Sequence, residues 1–177
     1  MSLTDEQLMI AVSKGDMGAF EQIVVRYQKL AWRTAYRYTG NTSDAEEIAQ
    51  EAFLRILDSA QNYRPSAKFS TYLYKVLTNL CLDYYRKKKP LLTNEPFVDK
   101  SHAESSSSNL QIQERDQAIN QAVDSLPARQ RLAVILRYYE NLSYAQIAAA
   151  MDTSVKATER LLARARERLK YLLESFS

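Results

Sequence analysis

The chain has 177 residues, and its formal net charge of +3 is small enough that the distribution of charge matters more than the sum. A single Cys and a single His exclude an internal disulfide framework and argue against a Cys/His zinc site. The N-terminal segment has no basic leader before an apolar core, and no run reaches the roughly 18 apolar residues of a membrane span, so we expect a cytoplasmic protein without membrane insertion.

Helical periodicity predicts four helices in the first half of the chain. Gly15 ends the first of them, and Gly40 ends the second. Ser43 and Glu46 have the spacing of a capping box at the start of the third. A polar loop containing Pro65, which forbids regular helix, precedes the fourth. The predicted helices span residues 3–14, 16–39, 43–58 and 68–88.

Two of these helices carry strongly charged surfaces. Residues 42–61 contain five acids against one base, a net charge of −4, and residues 64–90 contain seven bases against one acid, a net charge of +6. The acidic surface is either a docking face for a partner or a solvated face. The basic segment is rich in tyrosine, which suits single-stranded nucleic acid because aromatic rings stack on bases. Equally, its tyrosines can be core residues and its RKKK run a solvated helix end.

Periodicity is lost after Pro90, and the residues up to Gln113 are polar, with four consecutive serines and the lone His102. This composition predicts a flexible linker over 91–113. It separates two small helical domains, over residues 1–90 and 114–177. The second domain is expected to hold about four helices, with Pro127 opening one of them at its first turn. We therefore predict an all-α fold of two domains.

The segment from Asn141 to Lys170 has the pattern of a helix-turn-helix. Ser143 and Gln146 form a capping box for its first helix, and the second begins near Ser154. The outer side of the second helix is basic, with six bases against two acids over 155–171, a net charge of +4. Such a helix enters the DNA major groove, where arginine pairs with guanine edges. A merely solvated basic face is the alternative.

Together these segments resemble a bacterial RNA polymerase sigma factor of the extracytoplasmic-function (ECF) type. The resemblance is carried in the first half by GDMGAFEQIVVRYQ, DAEEIAQEAFLRIL and YRPSAKFSTYLYKVLTNLCLDYYRKKK. In the second half it is carried by LPARQRLAVILRYYENLSYAQIAAAMDTSVKATERLLARARERL. The resemblance implies two helical domains, one reading the promoter −10 element and one reading the −35 element, joined by a flexible linker.

The resemblance also implies roles for individual residues. Those expected to contact core polymerase are Asp44, Glu47, Gln50, Glu51 and Phe53. Those expected to capture a flipped base of the −10 element are Gln61, Asn62, Tyr63 and Arg64, and those expected to face the non-template strand are Lys75, Asn79 and Asp83. On the −35 side the corresponding residues are Lys156, Glu159, Arg160, Ala163 and Arg164.

Two positions depart from the pattern of the family on the −35 side. Many members carry Gly where this chain has Lys156, and a basic residue where it has Glu159. The glutamate either accepts a hydrogen bond from a cytosine amino group or repels phosphate. The partners implied are core RNA polymerase, promoter DNA (duplex at −35, melted at −10) and an anti-sigma factor. No cofactor, metal, small-molecule substrate or catalytic residue is expected, and the protein is not predicted to be an enzyme.

Two other functions remain open at this point. A stand-alone helix-turn-helix regulator would bind duplex DNA as a dimer at a palindromic site and would not need the acidic surface. A helical adaptor would use neither basic surface for nucleic acid. Binding to core polymerase distinguishes the predicted function from both.

Overall fold

The computed structural model describes residues 2–88 and 110–174. Within these ranges the chain is helical and contains no β-strand, which confirms the all-α prediction. Except for residues 110–113, the predicted linker lies outside the described residues, as does His102. The helices are α1 (Asp5–Ser13), α2 (Met17–Thr39), α3 (Thr42–Asp58), α4 (Phe69–Lys88), α5 (Leu110–Asp124), α6 (Ala128–Val134), α7 (Tyr144–Ala150) and α8 (Val155–Glu174), with a 3₁₀ turn at Ala60–Asn62 and a π-helical turn at Ile135–Tyr139.

The ends of the helices follow from local capping chemistry. Gly40 ends α2 with a φ of +67°, a left-handed conformation that glycine adopts without strain. The capping box predicted at Ser43 was wrong, because Asn41 caps α3 instead by accepting a hydrogen bond from the backbone N–H of Asp44. The box predicted at Ser143 is confirmed, since its hydroxyl and the side chain of Gln146 exchange hydrogen bonds with each other's backbone N–H.

In the first domain, α1 and α3 pack against α2, and α4 closes the core against α2 and α3. Leucine and isoleucine side chains from all four helices are buried there. The ring of Tyr27 meets that of Phe69 edge to face, with 5.0 Å between centroids. This core fixes the loop between α3 and α4, which carries several of the predicted −10 residues.

In the second domain, α6 and α7 pack on α8, and α5 lies against α6 and α8. The turn between α7 and α8 contains Asp152, whose φ is +52°. Ser154 then caps α8, its hydroxyl accepting from the backbone N–H of Ala157 at 3.1 Å. These contacts form the predicted helix-turn-helix and leave one side of α8 exposed.

The helix that follows Pro127 is not regular along its whole length. It is regular only to Val134, after which the backbone widens into the π-helical turn. The N–H of Glu140 donates to the carbonyl of Ile135 at 3.1 Å, and the N–H of Leu142 donates to Leu136 at 3.0 Å. Such widened turns are often associated with function, and this one sets the position of the Glu140 side chain.

The two domains pack against each other. Helix α4 lies against α6 and α7, and α2 lies against the π-helical turn. Arg131 of α6 donates a hydrogen bond to the backbone carbonyl of Tyr38 at 3.3 Å. Its guanidinium also lies 5.5 Å from the centre of the Tyr38 ring. Among the described residues, no helix has the length and apolar character needed to cross a membrane.

Candidate nucleic-acid and protein interfaces

The outer side of α3 is acidic and carries predicted docking residues. Glu47 and Gln50 are exposed and have no hydrogen-bonding or ionic partner in the part of the chain that the structure describes. Leu54, one turn beyond Gln50, is 54% exposed. The sequence analysis did not identify Leu54, although its position seven residues after Glu47 places it on the same side of the helix. Glu47, Gln50 and Leu54 together form a polar surface with an apolar end.

Two other predicted docking residues already have partners within the chain. Asp44 accepts hydrogen bonds from Tyr84 Oη at 2.6 Å and from Lys88 Nζ at 2.8 Å. Burial acts to raise the pKa of Asp44, but the hydrogen bonds from Lys88 and Tyr84 outweigh it, so the pKa lies below its usual value. Glu51 pairs with Arg55 one turn along α3, with 2.9 Å between Oε1 and Nε. Asp44 thus ties α3 to α4.

A groove of about 700 Å³ runs between α2 and α3, beside the acidic face. Its walls include Trp32, Arg33, Gln50 and Phe53. Phe53 is 7% exposed, so it belongs to the core as well as to the groove. The ring of Trp32 stacks on that of Tyr36 with 4.9 Å between centroids. The sequence analysis missed Trp32, whose role depends on how α2 packs against α3.

The loop after α3 and the beginning of α4 enclose a pocket of about 440 Å³. Four of the residues predicted to contact −10 DNA line it together, namely Asn62, Tyr63, Arg64 and Lys75. Gln61 is exposed in the same loop but does not line the pocket. The structure therefore brings three of the four loop residues and Lys75 of α4 to one concave site.

Aromatic side chains shape this pocket. The rings of Tyr63 and Tyr72 are 5.6 Å apart between centroids, and the hydroxyl of Tyr72 lies 2.6 Å from Ser59 Oγ. The hydroxyl of Tyr63 is buried and has no partner among residues 2–88 and 110–174. Burial raises the pKa of the Tyr63 hydroxyl above its usual value. Tyr72 was not among the predicted site residues.

Further along α4, the three residues predicted to face the non-template strand are spaced four residues apart on one side of the helix. Lys75 and Asn79 are exposed, and Asp83 is half-buried. Asp83 pairs with Arg86 at 2.9 Å. Lys75 lies 3.7 Å from Asp152 of the second domain. The second domain thus lies directly beside this surface.

The other tyrosines of α4 are mainly structural. Tyr74 is buried, and Tyr84 and Tyr85 are half-buried against the core. Burial, the negative charge of Glu140 and the hydrogen bond to it all raise the pKa of Tyr74. Of the two interpretations of this tyrosine-rich helix, core packing therefore accounts for these three, whereas Tyr72 lines the pocket.

The outer side of α8 presents the predicted −35 residues. Lys156, Glu159, Arg160 and Arg164 are exposed, with Ala163 half-exposed between them. None of the four charged side chains has a partner within the described residues. The inner side of α8 is fixed by the buried side chains of Thr158, Leu162 and Ala165. The result is a helix that packs through one side and leaves its basic side exposed.

The described residues contain no cluster of three or more side chains suited to holding a metal ion. Cys81 is completely buried in α4, and burial raises the pKa of its thiol to about 12. Since the thiolate is the reactive form, the cysteine is expected to be inert in the folded protein.

We expect Cys81 to react with a maleimide at pH 8 about a thousandfold more slowly in the native chain than in the unfolded chain, because both ionisation and access are suppressed. The rates can be measured by mass spectrometry with and without urea. An added cysteine at the exposed position Glu114 provides the control and should react rapidly in both states. Equal rates for Cys81 in the two states would contradict its burial.

Comparisons with known proteins agree with this architecture. A family model described as Sigma-70 region 2 matches residues 23–90, and one described as Sigma-70, region 4 matches residues 116–169. The chain is 32% identical over 174 residues to the "ECF RNA polymerase sigma factor SigW" of Bacillus subtilis, covering 90% of this chain and 91% of the relative. It is 32% identical over 176 residues to the "ECF RNA polymerase sigma-E factor" of Escherichia coli K12, covering 93% and 92%.

Two solved structures share the fold. The "Structure of CnrH in complex with the cytosolic domain of CnrY" matches with a TM-score of 0.72 and 23% identity, covering 98% of this chain and 99% of the other. A "Co-crystal structure of the sigma factor RpoE in complex with the anti-sigma factor NepR from Bartonella quintana" matches with a TM-score of 0.67 and 22% identity, covering 88% and 96%.

Proposed function

The chain belongs to the RNA polymerase sigma factors of the ECF type, and from this premise we propose that it docks on core RNA polymerase through α3 and the groove beside it. As an alternative sigma factor, it directs the polymerase to promoters and initiates transcription. The observation that carries the docking proposal is the unpartnered polar face of Glu47 and Gln50, which continues into Leu54 and into the groove at Trp32. A surface that combines polar and apolar parts in this way suits a protein partner, because the apolar part can be desolvated on binding while the polar part forms hydrogen bonds.

At the −10 element, we propose that the pocket after α3 captures a base extruded from the duplex. Its volume of about 440 Å³ and its aromatic wall of Tyr63 and Tyr72 support this role. Extruding a base costs a few kcal/mol, and stacking on an aromatic ring returns about 1–3 kcal/mol per base. The non-template strand would then run along α4, past Lys75 and Asn79.

At the −35 element, we propose that α8 lies in the major groove with Arg160 and Arg164 towards the bases. The support is that both guanidinium groups are exposed, unpartnered and held on one side of a helix packed by Leu162 and Ala165. Arginine commonly donates to both acceptors of guanine. Glu159 would accept a hydrogen bond from a cytosine amino group where the bound sequence places one beside it, and would otherwise repel the phosphates.

The polymerase supplies the chemistry of transcription in this proposal, and the chain supplies binding and base capture. We therefore propose that the protein is not an enzyme and that it acts in the cytoplasm, where the chromosome and polymerase lie. We also propose that an anti-sigma factor controls it, as the resemblance implies.

The direct test is gel filtration of the purified chain with bacterial core polymerase freed of its own sigma factor. We expect co-elution at one to one, and transcription from promoters selected out of a random DNA library. A different sigma factor run with the same core preparation provides the control. If that control co-elutes and this chain does not, the docking proposal falls, and selection of duplex DNA by the chain alone would test the stand-alone regulator.

A further inference from the structure

Helix α1 contains none of the residues placed in the proposed interfaces, yet it contacts the loop that carries the −10 residues. It packs against α2 and against the 3₁₀ turn at Ala60–Asn62, which immediately precedes Tyr63. Leu8 and Met9 anchor α1 in the core, because both side chains are completely buried. The loop after α3 is thus supported by a helix from a distant part of the sequence.

One side chain of α1 also reaches the start of α4. Glu6 Oε1 accepts a hydrogen bond from the backbone N–H of Phe69 at 3.0 Å, across 63 residues of sequence. Phe69 is the first residue of α4, and N–H groups in the first turn of a helix have no carbonyl partner inside it. Lys68, which precedes α4, has only donors in its side chain and cannot accept from this turn. Glu6 therefore takes the part that a capping side chain has in other helices.

The capped residue begins a row of aromatic rings that leads into the pocket formed by the loop after α3. The ring of Phe69 is completely buried and lies 6.2 Å from that of Tyr72 between centroids. Tyr72 in turn lies 5.6 Å from Tyr63. Phe69 also meets Tyr27 of α2 edge to face, and the hydroxyl of Tyr27 donates to Asp5 of α1. The aromatic wall of the pocket therefore depends on how α4 begins.

The sign of the charge on Glu6 separates positioning from electrostatic attraction. Burial raises the pKa of the Tyr63 hydroxyl, and the negative charge of Glu6 raises that pKa further, because the carboxylate lies near the pocket. A carboxylate in this place repels the phosphates of a DNA strand. Any favourable effect of Glu6 on −10 binding must therefore come from the structure that it holds, and not from its charge.

We propose that Glu6 is a positioning residue for capture of the −10 base. By capping α4 from α1, its carboxylate fixes Phe69 and Tyr72, and through them the wall of the pocket on which the extruded base stacks. A pocket that is already ordered binds more tightly, because its side chains lose less freedom when the base enters. The assignment of the pocket rests on the proposed function, whereas the hydrogen bond between α1 and α4 does not.

The cap itself is tested by hydrogen exchange of the Phe69 amide, followed by NMR on the full chain. Glu6→Ala removes the acceptor, so we expect exchange at Phe69 to become at least about tenfold faster. Glu6→Gln keeps an acceptor oxygen at the same reach and should retain most of the protection. Equal exchange in Glu6→Ala and the wild type would overturn the cap, and the proposal with it.

The effect on recognition is measured with the chain bound to core polymerase (the holoenzyme) and a single-stranded oligonucleotide carrying the −10 element of a selected promoter. We expect Glu6→Ala to bind this strand about tenfold more weakly, because the pocket must then be ordered on binding. Glu6→Gln should bind at least as tightly as the wild type, since the acceptor remains and the repulsive charge is lost. If the charge alone mattered, Glu6→Ala would also bind at least as tightly as the wild type, and that result would overturn the proposal.

Gln7→Ala is the matched control, because it truncates a side chain of the same length at the next position of α1. The side chain of Gln7 is exposed and accepts a hydrogen bond from the backbone N–H of Thr4, within the capping box of α1 itself. We expect this variant to leave exchange at Phe69 and binding of the −10 strand unchanged. An equal loss of −10 binding in Gln7→Ala and Glu6→Ala would assign the effect to the general stability of α1 and overturn the positioning role.

Binding to core polymerase and discrimination at −35 are measured on the same variants, because a general loss of structure would change them too. We expect Glu6→Ala to match the wild type in both, since the proposed surfaces for them lie on α3 and α8. Parallel losses in all three measurements would overturn the positioning role.

If circular dichroism shows that Glu6→Ala does not fold, Glu6→Asp carries the test. Its carboxylate keeps the charge but is one methylene shorter, so it does not reach the N–H of Phe69. Weaker −10 binding by Glu6→Asp would support the proposal, and unchanged binding would overturn it. Failure of the wild-type holoenzyme to bind the −10 strand would instead overturn the proposed function, and the role of Glu6 in base capture with it, while exchange at Phe69 still decides whether Glu6 caps α4.

Discussion

Replacing Glu47 and Gln50 together by lysine should weaken binding to core polymerase by about a hundredfold or more and abolish co-elution on gel filtration. Both side chains are exposed, lie one turn apart on α3 and have no partner among the described residues, so their loss should leave the fold intact. A hot-spot residue of an interface costs about 2 kcal/mol or more when it is truncated, which corresponds to about thirtyfold in affinity. Reversal of charge adds repulsion to the lost contacts.

The matched control is Glu114→Lys with Gln117→Lys on α5. It makes the same change of charge at the same spacing on another exposed helix. We expect it to bind core normally. Phe53 is left in place because it is 7% exposed, and its truncation would weaken binding by disturbing the core. If the double-lysine variant on α3 bound as tightly as the control, the docking surface would lie elsewhere.

Replacing Arg160 and Arg164 together by alanine should reduce the affinity of the holoenzyme for a selected promoter by about a hundredfold. Each side chain that contacts a base edge contributes about 1–3 kcal/mol of discrimination, and each phosphate contact adds to the dependence on salt. Both arginines lie on the exposed side of α8, one turn apart. The measurement is competition binding on promoters intact or scrambled at −35.

Arg166→Ala with Lys170→Ala removes the same charge at the same spacing from the same helix, but from another side. Arg166 points towards the hydroxyls of Tyr138 and Tyr144, at 3.5 and 3.4 Å. We expect this control to change discrimination at −35 by less than about threefold. Equal losses for the two pairs would mean that α8 contributes general positive charge and does not read the sequence.

The two predictions are independent, which makes them informative together. The docking variant should fail before any DNA is bound, whereas the −35 variant should form a normal holoenzyme that selects promoters poorly. A stand-alone regulator would bind duplex DNA without core polymerase, and replacing Glu47 and Gln50 would leave that binding unchanged. Their combined result therefore separates the proposed function from its main alternative.

The sequence by itself determined the helices and their amphipathic sides. Periodicity placed α2 and α8 closely, and the box at Ser143 was predicted correctly, because these features depend on residues three or four apart. The resemblance of several segments, in their order along the chain, to one family was likewise available from the sequence, as was the acidic side of α3. Local interactions and composition are sufficient for statements of this kind.

Only the tertiary structure decided which of the predicted site residues are exposed without a partner inside the chain. Asp44 is held by Tyr84 and Lys88, which lie 40 and 44 residues away, and no local pattern predicts such a pairing. Leu54 and Trp32 became candidates only when their exposure and the neighbouring groove were known.

The contact between the domains had no signal in the sequence at all. Glu140 meets Arg37 and Arg33 across 103 and 107 residues, and its side chain is buried because the π-helical turn places it against α2 and α4. From the sequence alone it was one charge at the end of a predicted helix. Whether a charge is solvated or buried depends on what packs over it, and that is fixed by the whole chain and not by its neighbours in sequence.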